Sequence, residues 1–344
     1  MIAVKMKKDN LHHFLNSIKP FGALWGPVSR GDGFVLEKVE DFSLLDLTAL
    51  RTKIPFKKLL FPPRFSMFHF DGEGIRPSLD DFPNQVLFGL HPCDLHGLMI
   101  LDRFFTMHYD DPYYLERRKR TAVIGLSCIP DARCFCKTTN THYAEGGFDL
   151  ALTDLDDFFI VWVGSSLGDD MIRACPELME EKISHDDLRT YVEWRQHRES
   201  SFTLNMDFAG MPSIMELCWD DPLWEELGEK CLSCGACTVV CPTCPCFNVL
   251  DEVELDGRAG QRIRRWDSCM FREYSMVAGG HNFRESRAER LKLRFTHKLQ
   301  AFVGKFGEPA CVGCGRCIDT CPVGIDIKTV GLRLRGEEAT VCKR

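Results

Sequence analysis

Two runs of cysteine near the C-terminus have the residue types and spacing for metal chemistry. The first is Cys231-Leu-Ser-Cys234-Gly-Ala-Cys237-Thr-Val-Val-Cys241-Pro242. The second is Cys311-Val-Gly-Cys314-Gly-Arg-Cys317-Ile-Asp-Thr-Cys321-Pro322. Both read C-x2-C-x2-C-x3-C-P, the spacing that seats cubane [4Fe–4S] clusters. A cubane needs three thiolates from one tight, glycine-containing loop and a fourth from elsewhere, and the proline after the last cysteine turns the chain away. A structural zinc site uses paired C-x2-C knuckles instead of a triple followed by Cys-Pro.

Where two such runs share one module, the fourth cysteine of each ligates the cluster of the other. The spacing therefore assigns Cys231, Cys234, Cys237 and Cys321 to one cluster, and Cys311, Cys314, Cys317 and Cys241 to the second. The exchange ties distant segments together, so the metal contributes to folding as well as to redox chemistry.

Four cysteines of the N-terminal half form a third candidate set. Cys93 ends Phe88-Gly-Leu-His-Pro-Cys, and Cys128 ends Ile124-Gly-Leu-Ser-Cys. Each lies just past the carboxyl end of a predicted strand, where parallel strands gather their sites. Cys134 and Cys136 follow. The set reads as a third [4Fe–4S] cluster, with Asp94 or a neighbouring His as a substitute ligand. Zinc and inert buried thiols are the alternatives. Cys244, Cys246 and Cys269 read as packing around a cluster shell, or else as a further metal site or redox-active thiol pair. Cys175, Cys218 and Cys342 read as structural.

The rest of the chain must position these groups. Its 344 residues suggest about two domains. Strands are predicted at Gln85–Leu90, Thr121–Leu126, 148–152 and Phe158–Val163, with a helix over 95–105 and helical, polar sequence over 168–197. Residues 201–212 carry the Gly210 and Pro212 breaks of a join. A short helix carrying Trp224 and Leu227 leads into the first cysteine run. The expected fold class is α+β. A mixed α/β domain over 1–205 precedes a mostly helical domain over 206–344, which carries the two-cluster module and a helical insertion at about 247–308. In that insertion Ser286-Arg-Ala-Glu289 is a capping box. It opens a helix with an apolar stripe (Leu291, Phe295, Leu299, Phe302) beside a basic one (Arg287, Arg290, Arg294, Lys298). The basic stripe is either a solvated face or a set of cations that offset cluster charge or dock an acidic partner.

A net charge of −7 gives no reason to expect nucleic acid or an anionic membrane surface. The start of the chain lacks a signal-peptide apolar core, and the longest apolar run is too short to span a bilayer. Eighteen cysteines without a secretion signal suggest metal or redox use in a reducing cytoplasm. No G-x-G-x-x-G follows a strand, and neither a P-loop nor H-E-x-x-H occurs. The residues thus offer carriers of single electrons and no group for bond-making chemistry.

Several blocks carry a family resemblance: Gly89-Leu-His-Pro-Cys-Asp-Leu95, Asp111-Pro-Tyr-Tyr114, Gly125-Leu-Ser-Cys128, Cys134-Phe-Cys136, Arg264-Arg-Trp-Asp-Ser-Cys-Met270, Ala278-Gly-Gly-His-Asn-Phe-Arg284 and 306–317. The chain resembles the iron–sulfur β subunits of cytoplasmic sulfhydrogenases and, equally, the A-type iron–sulfur component of anaerobic sulfite reductase. The resemblance covers nearly the whole chain and is most specific from Cys231 to Asp326. It implies an electron-transfer subunit of an anaerobic cytoplasmic complex, without catalytic residues of its own. Its partners would be an FAD-containing subunit that handles NAD(P)H and a catalytic subunit: a hydrogenase, a sirohaem reductase or a heterodisulfide reductase-like protein. Gly235, Gly313 and Gly315 would let backbone amides approach cluster sulfurs, and Arg316 would raise the potential of the second cluster. Two other readings stay open. One is a reductase acting on a sulfur compound through bound flavin or Cys244/Cys246, and the other is a scaffold whose clusters only hold the fold.

Overall fold

The computed structural model describes residues 2–79 and 82–337. Its strands, in chain order, are β1 (Ile2–Lys7), β2 (Ala23–Arg30), β3 (Gly33–Lys38), β4 (Arg64–Asp71), β5 (Gly74–Pro77), β6 (Gln85–Leu90), β7 (Thr121–Leu126), β8 (Leu150–Asp154), β9 (Phe158–Val163), β10 (Met179–Glu180), β11 (Phe247–Val253) and β12 (Gly260–Trp266). The chain forms two compact units. One comprises Met1–Phe61, Leu79–Cys134 and Asn140–Thr203; the other comprises Pro62–Ser78, Phe135–Thr139 and Leu204–Arg344.

The first unit is built on an eight-stranded sheet of order β10-β1-β9-β8-β7-β6-β2-β3. Strands β2, β6, β7 and β8 run parallel, and the flanking pairs are antiparallel. β7 is buried along its whole length, as a central parallel strand covered on both faces must be, and its Thr-Ala-Val-Ile-Gly-Leu sequence is the continuous apolar run that this requires. Met6, Phe14, Phe88, Ile124, Leu152 and Phe159 are among its core residues. After β6, Pro92 occupies the first turn of the helix Pro92–Thr106, where its missing N–H costs nothing. Cys93 therefore sits in that first turn, and Cys128 lies two residues past the end of β7.

The second unit contains a four-stranded antiparallel sheet of order β11-β12-β4-β5. The 247–308 span therefore differs from the helical insertion expected of it, because it opens with the β11–β12 hairpin. The hairpin is held by cross-strand partners: Phe247 faces Trp266, and Asp251 receives both a 2.7 Å and a 2.8 Å bond from Arg262. β12 in turn pairs with β4, from Gly260 opposite Phe70 to Arg265 opposite Arg64. That pairing assigns Pro62–Ser78 to this unit, although it lies far upstream in sequence. Phe135 does likewise, donating its amide to the Gly313 carbonyl at 2.9 Å.

The helices of this unit follow local rules more closely. Ser286 and Glu289 form the reciprocal capping box that opens Arg287–Thr296. Leu291, Phe295, Leu299 and Phe302 are all buried. A π-helical turn, His297–Ala301, follows directly. Gly228, in the helix Leu223–Lys230, faces Ala288 so closely that a Cβ there would stand 2.8 Å from the Ala288 nitrogen. Among the described residues no helix is long and apolar enough to cross a membrane.

Candidate metal centre

Two cavities lie at the cysteine runs, and each draws thiols from both. The first is lined by Cys231, Cys234, Cys237 and Cys321, closed by Met270, Leu291, Phe295 and Ile325. The second is lined by Cys311, Cys314, Cys317 and Cys241, with Phe135, Val312 and Ile327. Each set is thus three thiols of one run and the last of the other. Among the described residues no three His, Cys, Asp or Glu side chains converge tightly enough to hold a single metal ion. The thiols stand around cavities instead, a donor set that suits a thiolate-ligated cluster.

The loops achieve this by backbone conformation. Gly235 and Gly315 take left-handed φ values of 72° and 77° and open the short helices that carry Cys237 and Cys317. Gly313, at φ +60°, abuts the Phe135–Cys136 backbone; a Cβ would lie 2.4 Å from the Cys136 nitrogen. Backbone amides turn toward sulfur: Ser233 N–H reaches Cys231 Sγ at 3.4 Å and Ile325 N–H reaches Cys321 Sγ at 3.2 Å. Such donors stabilise negative charge on a ligating thiolate.

The basic stripe runs along these loops. Arg287 donates to the Cys231 carbonyl at 2.8 Å, Arg290 to Ser233 Oγ at 3.2 Å and Arg294 to the Cys237 carbonyl at 3.2 Å. Lys298 donates to Thr243 Oγ1 at 2.7 Å and to the Ala310 carbonyl at 3.1 Å. Arg290, Arg294, Lys298 and Arg316 are all buried. Arg294 lines both cavities. Burial opposes the charge on Arg294 and Lys298. The surrounding cysteines outweigh it, and both groups are held above their ordinary values. Conversely, burial is the first cause that pushes the thiols up: Cys311 to about 12, and Cys237 and Cys317 also upward, with neighbouring thiols adding to the shift.

Three further cysteines adjoin the second cavity. Cys244, buried, is hydrogen-bonded to Cys241, which raises its pKa. Cys246 is bonded to Cys269, which lowers the Cys246 thiol to about 6 and raises that of Cys269. Tyr274 also donates to Cys246. Cys175 and Cys218 are placed within the cores of the first and second units, and Cys342 lies outside the described residues.

The N-terminal candidates divide between units: Cys93, Cys128 and Cys134 belong to the first and Cys136 to the second. In the first unit, three cations surround the thiols. Arg51 makes 2.6 and 2.7 Å bonds to Asp131 and a 3.2 Å contact to Cys134 Sγ. Arg198 donates to the Cys128 carbonyl at 2.7 Å. Both ring nitrogens of His91 lie 2.9 Å from carbonyl oxygens, those of Leu126 and Ala49. Both must therefore donate, which makes the ring an imidazolium. Burial disfavours that charge, but Cys128 overrides it and lifts His91 to about 9. Burial likewise pushes Cys128 up, yet His91 and Arg198 bring it down to about 7. Cys134, dominated by burial, is raised to about 12. His91 is visible in the Gly-Leu-His-Pro-Cys block; Arg51 and Arg198 are too remote in sequence to be found there.

The fold and the paired thiol cavities define an iron–sulfur protein, and residues 230–325 match the 4Fe-4S dicluster domain family. The whole chain is similar to the sulfhydrogenase 2 subunit beta of Pyrococcus furiosus, with 36% identity over 327 residues, 94% of this chain and 95% of that protein. It belongs to the sulfhydrogenase subunit beta family. No solved structure matches it.

Proposed function

We propose that this chain is the electron-transfer subunit of an anaerobic oxidoreductase complex. It would stand between an FAD-containing subunit that handles NAD(P)H and a catalytic subunit of hydrogenase type, as the name of the Pyrococcus relative suggests. A sirohaem or heterodisulfide reductase-like partner is the other form of the same role. The observation that carries the reading is the pair of four-thiol cavities with Arg294 in the wall of both. Cys231, Cys234, Cys237 and Cys321 would hold one [4Fe–4S] cluster, and Cys311, Cys314, Cys317 and Cys241 the second. Clusters bound there would supply reversible one-electron storage, at potentials that proteins set anywhere from roughly −700 to +450 mV.

The chain's own residues then do three things. The thiols hold the metal, Phe295, Leu291 and Ile327 exclude water, and the buried cations offset the ligand charge. The first cavity also has a surface rim: Cys234 is exposed, and Leu232 beside it is 60% exposed. The second cavity has buried Val312 and Arg316 in its wall. The rim at Cys234 is the natural place for a partner's redox group to approach. A third cluster on the Cys93, Cys128 and Cys134 side is part of the proposal, supported by His91, Arg51 and Arg198 around those thiols; Cys136 is the fourth ligand suggested by the sequence.

The test is anaerobic purification with iron and sulfide analysis, followed by mixing with the flavin partner and NAD(P)H. Cluster bleaching that needs the partner supports the reading. NAD(P)H–dye activity of the chain alone would replace it with the reductase reading, for which the Cys246–Cys269 thiol pair is the supporting feature. About twelve irons per chain, falling to about eight in Cys128→Ala, would support the third cluster; about eight in both would remove it.

A further inference from the structure

A cavity of about 240 Å³ in the first unit lies away from the cysteine runs and serves none of the roles above. It opens past the carboxyl ends of the parallel strands: Leu126 and Ser127 at the end of β7 and Thr153 on β8 form its floor. Helix His185–Ser200 forms its wall. Ligands collect at this edge of parallel sheets, where side chains from successive strand ends and loops converge. A buried water needs about 10–15 Å³ measured in this way, so the space suits a small organic molecule better than a single solvent molecule.

The wall has two chemical characters. Trp162, Tyr191 and Trp194 present ring surfaces; Tyr191 and Trp194 are nearly parallel, 18° apart with centroids 6.1 Å apart. Set among them are two guanidinium groups. Arg195 lies 4.0 Å over the Tyr143 ring and donates to the Tyr191 hydroxyl at 3.2 Å. Arg198 is 1% exposed. Its Nε is spent on the Cys128 carbonyl, yet its Nη1 is buried without a hydrogen-bond partner. A buried, charged donor left unpaired costs about 1–3 kcal/mol or more. Burying an arginine among rings satisfies its faces through cation–π contact, but its in-plane N–H groups still require an acceptor.

The geometry points to a binding site for a small aromatic organic anion: a single ring bearing a carboxylate or sulfonate, its acid group toward Arg195 and Arg198 and its ring against Trp194 and Tyr191. The inference rests on the first unit alone and stands whether or not the electron-transfer reading does.

The experiment uses the full chain purified anaerobically with its metal, titrated calorimetrically with benzoate and with benzenesulfonate, and with benzyl alcohol and acetate as partial mimics. Saturable one-to-one binding of the aromatic anions is expected, at least tenfold tighter than benzyl alcohol or acetate. Arg195→Gln should weaken it by about ten- to a hundredfold, the loss of one charged hydrogen bond. Trp194→Ala should weaken it independently, which guards against a variant that only perturbs Arg198. Iron content and circular dichroism establish that each variant is folded. Absence of saturable binding by either aromatic anion overturns the inference. So does equal binding of benzyl alcohol, or binding untouched by both substitutions.

Discussion

The guanidinium of Arg294 donates to the carbonyl of Cys237 at 3.2 Å, from a buried position in the wall of both thiol cavities. One turn further, Lys298 reaches Thr243 and Ala310 beside the second cavity only. The helix Arg287–Thr296 and the π-helical turn after it thus act as a ruler that places one cation between the two centres and one at the second.

The first expectation concerns potentials. Removing a buried positive charge about 6 Å from a cluster, at an effective dielectric near 20, shifts its midpoint by about 100 mV. Arg294→Met should lower the midpoints of both clusters, and Lys298→Met that of the second alone. Arg316→Glu should also lower the second. Redox titrations followed by EPR measure each. Unchanged midpoints in Arg294→Met would remove its proposed role.

Gly228 tests whether the basic helix must lie close. Its neighbour Ala288 leaves no room for a side chain, so Gly228→Val should cost about 1–3 kcal/mol by overpacking. Because the displaced helix carries Arg287, Arg290 and Arg294, cluster absorbance should bleach at lower temperature. A thermal scan at the visible band checks it; wild-type behaviour would show that the helix pair tolerates separation.

The thiols dictate a pH dependence of the metal-free chain. Folding raises Cys311 to about 12, against an ordinary thiol near 8.5. A raised acid keeps its proton in the folded state while the unfolded chain releases it. Stability of the metal-free protein should therefore fall as pH rises from about 8.5 toward 12. For the same reason, cluster loading should release protons and improve as pH rises from 7 to 9. Denaturant titrations and iron uptake in weak buffer measure the two limbs. Uptake that weakens with rising pH would contradict the proton balance.

Much of the fold is legible in the amino-acid sequence. Gln85–Leu90 and Thr121–Leu126 are strands with the bounds that their apolar runs suggest, because buried parallel strands carry an unbroken signal. The Ser286–Glu289 capping box marks a real helix start for the same local reason. The sheet β11-β12-β4-β5 is not legible there. Pro62–Ser78 pairs with residues almost two hundred positions downstream, and the alternating charges of β11 and β12 resemble a solvated helix as much as a hairpin edge. The basic stripe also reads ambiguously, since spacing places four cations on one face without saying what that face meets. Burial of Arg290, Arg294 and Lys298 against the cysteine loops decides it. Arg198 is invisible as a partner of Cys128, from which it is 70 residues distant.

The crossed assignment of the thiols is the central claim, and paired substitutions measure it most directly. In anaerobically prepared protein, Cys241→Ala should lower iron by about four per chain. Adding Cys314→Ala, in the same cavity, should remove no more, whereas adding Cys234→Ala should remove about four further. The opposite pattern, with Cys234 redundant to Cys241 and Cys314 additive, would mean that each run ligates its own metal and would contradict the crossed arrangement.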